Sequence, residues 1–197
     1  MHLITTFVIV ENKRTLILNK IQRWWQGRGF GIESKTDYAF LHNVIREKLP
    51  YYAYNQWQQL FPDADNNDMY LAKLLFRISN NHQPATIHLH GNVTALALHA
   101  VSDGCRKASV KNVDTPYIRL SDYGISAKIE HGMMVEYVPH TSSQDVPVAI
   151  VLTEIEGANR VLWQRLLEIP AITYDIQDIG VLLIRKGRYP EHYKINR

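Results

Sequence analysis

The chain has a single cysteine in 197 residues, which excludes an intrachain disulfide and fits a reducing compartment. No apolar run approaches the roughly 18 residues that a membrane-spanning helix needs. The opening MHLITTFVIVENKR is too short and too soon charged for a signal peptide. A cytoplasmic location and no membrane partner are therefore the expectations. Internal repeats and low-complexity tracts are also missing. Charged residues make up only 21% and hydrophobic ones 46%, which excludes a disordered chain and leaves enough apolar material for a core without metal or cross-links. A single domain over residues 1–197 is expected.

The net charge of +3 is unevenly laid out. Residues 1–36 set Lys13, Arg14, Lys20, Arg23, Arg28 and Lys35 against Glu11 and Glu33. Residues 178–197 set Arg185, Lys186, Arg188, Lys194 and Arg197 against Asp178 and Glu191, and the stretch between is acidic. Basic ends on an acidic middle suit a phosphate-bearing partner. The tail also interleaves Tyr189 and Tyr193 with its cations, a mixture that fits a nucleic-acid backbone.

Periodicity divides the chain into three parts. Leu3–Val10 is almost wholly apolar and β-branched, which predicts a strand buried on both faces. Residues 13–26 place Leu16, Ile17, Ile21 and Trp24 or Trp25 at helical spacing, and Gly27, Gly29 and Gly31 end that helix. Residues 36–82 predict an all-helical insert: one helix to Leu49, an aromatic one over Tyr51–Phe61, and a third over Met69–Ser79 capped by Asp68. From Ala85 the period is two. Thr86–His90, Thr94–Val101, Ser109–Val113, Tyr117–Leu120, Ile125–Ile129, Met133–Val138 and Val146–Ile155 read as strands, Ala158–Glu168 as a helix and Val181–Ile184 as a last strand. The sum is an α+β fold with a mostly antiparallel sheet, compatible with a ferredoxin-like or RNA-recognition-like core.

The chemistry-bearing side chains gather in residues 85–107, where His88, His90, His99, Asp103 and Cys105 interrupt apolar chain. Two positions apart on a strand, His88 and His90 share a face, which is how a zinc site begins; His99, Asp103 or Cys105 would supply the third ligand. Zinc is thus the one cofactor the sequence suggests. His99 and His140 are further candidates for general acid or base, since imidazole titrates near neutrality.

Short motifs carry three resemblances. His99-Ala-Val-Ser-Asp103-Gly104 resembles the His-x-x-x-Asp-Gly signature of chloramphenicol acetyltransferase-like acyltransferases, which implies His99 as general base and Asp103 as its structural partner. Arg28-Gly-Phe-Gly-Ile32 is similar to part of the ribonucleoprotein motif of RNA-recognition domains, which implies Phe30 stacked on a base and Arg28 on phosphate. Arg77 and His82 resemble the Arg-x4-His spacing of HEPN-type ribonucleases, which implies a metal-free RNA-cutting pair. Basic ends, glycine turn and basic-aromatic tail converge on RNA binding or processing, as a subunit of a ribonucleoprotein, defence or mobile-element assembly. Arg23, Arg28, Phe30, Lys35, Arg185, Lys186, Arg188, Tyr189 and Lys194 are the expected contacts. The alternatives are a small-molecule enzyme built on His88, His90, His99 and Asp103, either a metal-dependent hydrolase or an acyltransferase, and a non-catalytic protein-interaction module.

Overall fold

The structure, a computed structural model, describes residues 18, 20–26, 28–113, 117–140, 148–185, 187 and 189–196. The strand expected over Leu3–Val10 lies outside them, as do Lys186 and Arg188. Where described, residues 18–26 are helical, and the turn after them places Gly29 and Gly31 at φ +87° and +79°, which only glycine adopts without strain.

The insert is helical. Helix α1 (Lys35–Phe40) runs into a π-helical turn over Leu41–Ile45, followed by α2 (Tyr52–Leu60) and α3 (Asn66–His82). The first helix therefore stops short of the expected Leu49. Asp65, rather than Asp68, caps α3: its Oδ1 accepts the backbone N–H groups of Asn67 and Asp68, each at 2.7 Å.

Strand β1 (Thr86–Gly91) comes next, and then the chain departs from the period-two reading. Residues expected as a strand over Thr94–Val101 form helix α4 (Ala95–Gly104). The alternation of alanine and leucine is misleading because Leu96, Ala97, Ala100, Val101 and Gly104 are the buried set, a helical stripe. Thr94 caps it, its Oγ1 accepting from Ala97 N at 3.1 Å, and alanine favours the helix intrinsically. This helix makes the crossover from β1 to the parallel strand β2 (Ser109–Val113).

A separate hairpin of β3 (Tyr117–Leu120) and β4 (Ile125–Lys128) precedes β5 (Met133–Val138) and β6 (Ala149–Thr153). Helix α5 (Arg160–Leu166) leads to β7 (Ala171–Ile176), β8 (Ile179–Ile184) and β9 (Glu191–Lys194). The main sheet has the order β2-β1-β5-β6-β8-β7-β9, antiparallel within and parallel at its two edge pairs. The fold is thus α+β, although this strand order does not identify a ferredoxin-like or RNA-recognition core.

Alternation along the strands builds two cores. Val135 and Tyr137, Ala149 and Val151, and Val181 and Leu183 face one side, where they pack with Leu41, Trp57, Leu74, Ile78 and Val101 of the helical layer. Met134, Ile150, Leu152 and Leu182 face the other, where Ile118, Ile125, Leu162, Trp163 and Leu166 cover them. Tyr137 is fully buried and donates to Leu75 O at 3.3 Å, which secures a polar atom in the first core.

Candidate metal centre

On the second face of the sheet, β1 and β5 bring three metal-capable groups together. His88 and His90 point to the same side of β1, and antiparallel register sets Glu136 of β5 directly opposite His88. His90 Nε2 lies 3.1 Å and His88 Nδ1 3.5 Å from Glu136 Oε2, and all three ligand atoms fall within 4.8 Å of one another. Around a tetrahedral ion, bonds of about 2.0–2.2 Å would separate ligand atoms by about 3.3–3.6 Å, close to both spacings.

The electrostatics are those of a carboxylate in a dry setting. All six residues of β5 are buried, and Glu136 is the sole charge among them. Burial pushes its carboxyl up, but the hydrogen bonds and charge of His88 and His90 outweigh that and hold its pKa below the usual value. Within the described residues no lysine or arginine forms an ion pair with it; its ion-pair partners are the two imidazoles, which carry charge only when protonated. The His90 and Glu136 side chains are 6% and 11% exposed and that of His88 22%, so solvent reaches the cluster from the His88 side. On that side His88 neighbours the exposed Lys111 of edge strand β2, whereas Glu136 neighbours buried Ile150 of β6. His90 Nδ1 is buried and makes no hydrogen bond, so that ring is oriented through Nε2 alone.

The third member was legible only as an anomaly: one acid in the run Met133-Met-Val-Glu136-Tyr-Val138, otherwise apolar. The residues expected to complete the site sit elsewhere. His99 is exposed on α4, its ring edge-on to Phe61 at 5.3 Å. Asp103 accepts from the indole Nε1 of fully buried Trp57 at 2.8 Å, a structural task on the helical side. Cys105 is buried and its thiol faces Gln83 Oε1 at 3.6 Å and Pro84 O at 3.7 Å. His140 is exposed in the turn after β5, outside the three-residue cluster. Arg77 is buried and bonded to the carbonyls of Glu47 and Ile45, and His82 closes α3 with a buried, unbonded Nε2.

The expected nucleic-acid contacts divide. Arg23 is spent on the sheet edge: it grips Asp175 Oδ1 at 2.8 Å, Glu156 Oε1 at 2.9 Å and the Asp175 carbonyl at 2.9 Å. Beside it Gln26 Oε1 accepts from Lys194 N at 2.7 Å, so residues 20–26 lie against β9. Arg185 sits 3.6 Å from the buried carboxylate of Asp37 and donates to Thr36 Oγ1. Arg28 lies over the Trp24 ring at 4.0 Å, and Trp25 meets Phe30 at 5.3 Å. Lys35 and Tyr189 are exposed.

Comparison with protein-family models, with curated proteins and with solved structures finds no match to this chain. Its class is accordingly defined from within: an α+β protein with a two-histidine, one-carboxylate cluster on a half-covered sheet face. No helix among the described residues is long and apolar enough to cross a membrane.

Proposed function

We propose that the chain is a metal-dependent hydrolase whose divalent ion is held by His88, His90 and Glu136. One observation carries this reading: a buried carboxylate meets two imidazole nitrogens at 3.1 and 3.5 Å on adjacent strands, with no lysine or arginine paired to it among the described residues. Burying such a charge is costly unless a cation compensates it, and a divalent ion does so while using all three donors. Imidazole and carboxylate donors suit zinc or another first-row ion. Three protein ligands would leave such an ion open to water, and His88 is the most exposed of the three. An ion held by His88, His90 and Glu136 would supply Lewis-acid chemistry suited to hydrolysis of an ester, amide or phosphoester by water. Rigid strands, rather than loops, hold the donors, as such a site requires.

Protein purified without added metal or chelator should contain close to one transition-metal ion per chain by elemental analysis. His88→Ala and His90→Ala should each empty it. Metal-free wild-type protein that takes up no zinc on dialysis would refute the reading.

A second reading has its own support. Trp24, Trp25 and Phe30 are 48%, 54% and 56% exposed beside the Arg28 guanidinium, and exposed aromatics interleaved with cations form a stacking platform for single-stranded RNA. Binding of a fluorescent single-stranded RNA that weakens steeply with salt, and weakens further in Trp24→Ala/Trp25→Ala, is the expected result. Salt-insensitive or absent binding would remove it.

A further inference from the structure

On the helical side of the sheet, away from the His88 cluster, lies a pocket of about 480 Å³ between the π-helical turn, α2 and α3. Arg46, Lys48, Lys73 and Arg77 line it against one carboxylate among the described residues, that of Glu47, which accepts from the N–H groups of Lys48 and Leu49 at 2.7 and 2.8 Å. Lys73 and Arg77 stand four residues apart on α3, a like-charge pair that repels along the helix. Arg77 is 6% exposed; its Nη atoms reach two backbone carbonyls, its Nε is buried without a partner, and no carboxylate pairs with it among the described residues. Tyr54, also in the wall and 8% exposed, sets its buried hydroxyl against the Arg77 guanidinium, and Lys73 Nζ lies 5.1 Å from its ring centre. Burial pushes that phenol up to about 12 against the charge and hydrogen bond of Arg77, so it remains an O–H donor at neutral pH.

We propose that this pocket binds a small phosphorylated molecule, its phosphate oxygens neutralising Lys48, Lys73 and Arg77 and accepting the Tyr54 O–H. Three features combine: Lys48, Lys73 and Arg77 converge on one concavity, the buried Arg77 guanidinium has no carboxylate partner among the described residues, and the buried Tyr54 O–H has no acceptor among them. A phosphate dianion supplies both the missing charge and several acceptors. The volume exceeds that of a lone phosphate and falls in the range of small-molecule sites, so the phosphate is one end of a larger ligand. This assignment is independent of the metal centre.

The test uses full-length protein stripped with chelator, so that the His88 cluster does not bind the probe through an ion. Inorganic pyrophosphate is titrated by calorimetry and by thermal unfolding, with sodium chloride at matched ionic strength and with succinate as a dicarboxylate comparison. Pyrophosphate should raise the melting temperature saturably, and Lys48→Ala/Lys73→Ala should weaken its affinity by about 10-fold or more. Tyr54→Phe removes one oxygen and should also weaken it, which keeps the test decisive if the double variant does not fold. No saturable effect beyond that of salt, equal affinity in the variants, or succinate binding as tightly as pyrophosphate would each overturn the assignment.

Discussion

Asp103 shows how one side chain can fit a catalytic signature and still serve the fold. Its carboxylate takes the indole N–H of Trp57, a residue with no solvent exposure. Asp103→Ala would leave that donor buried and unsatisfied, a loss of about 1–3 kcal/mol. Urea denaturation should show this as a lower midpoint at unchanged slope, and His99→Ala, on an exposed position, should change the unfolding free energy by no more than about 0.5 kcal/mol. His82 gives a residue-scale prediction in pH. Burial and then the charge of Arg185 lower its pKa from 6.5 to about 4. Between those values the unfolded chain binds a proton that the folded chain refuses, so stability is full above pH 6.5 and declines as pH falls toward 4. His82→Gln should flatten that decline, which His82 makes by up to about tenfold in the folding equilibrium per pH unit. An unchanged acid slope in thermal melts between pH 7 and 4 would contradict it.

At the scale of elements, α3 and α4 meet closely because Gly104 permits it: a Cβ there would stand 2.4 Å from the Phe76 carbonyl oxygen. Gly104→Ala should force the two helices apart and cost about 1–3 kcal/mol in denaturant unfolding; a neutral result would mean that α4 can shift freely. The same helix shows what the sequence left ambiguous. Thr94–Val101 alternates as a strand does, and only its threonine cap and alanine content argued for the helix that burial of Leu96, Ala97, Ala100 and Val101 selects. The central strands were legible because nothing but a two-sided core accommodates runs such as AIVL and VLLI. Strand β7 was not: Thr173, Tyr174 and Asp175 dilute its apolar pattern, and its hairpin turns at Gln177, at φ +60°, where no glycine signals it. Of the candidate site, the shared face of His88 and His90 followed from spacing alone. Glu136 could not, because its partnership depends on β5 lying beside β1 across 46 residues of chain.

At the scale of the molecule, the sheet separates two chemistries: an acid-and-imidazole cluster on one face and a cationic pocket among the helices on the other. Its far edge is closed by residues 20–26, where Arg23 ties to Asp175 and Gln26 to the backbone of β9. Arg23→Ala should therefore speed amide hydrogen exchange in residues 20–26 and 191–195 while leaving β1 and β5 protected. The proposed metal centre, by contrast, would clamp β1 to β5, so an ion that binds only the folded chain should stabilise the whole of it, by about 2.7 kcal/mol at a free concentration 100 times its dissociation constant. The most direct measurement is a cobalt(II) titration followed by visible absorption. Intense ligand-field bands that saturate at one equivalent, disappear in Glu136→Gln and are displaced by zinc are the predicted result. A featureless titration, or one identical in Glu136→Gln, would contradict the assignment of His88, His90 and Glu136 as a metal site.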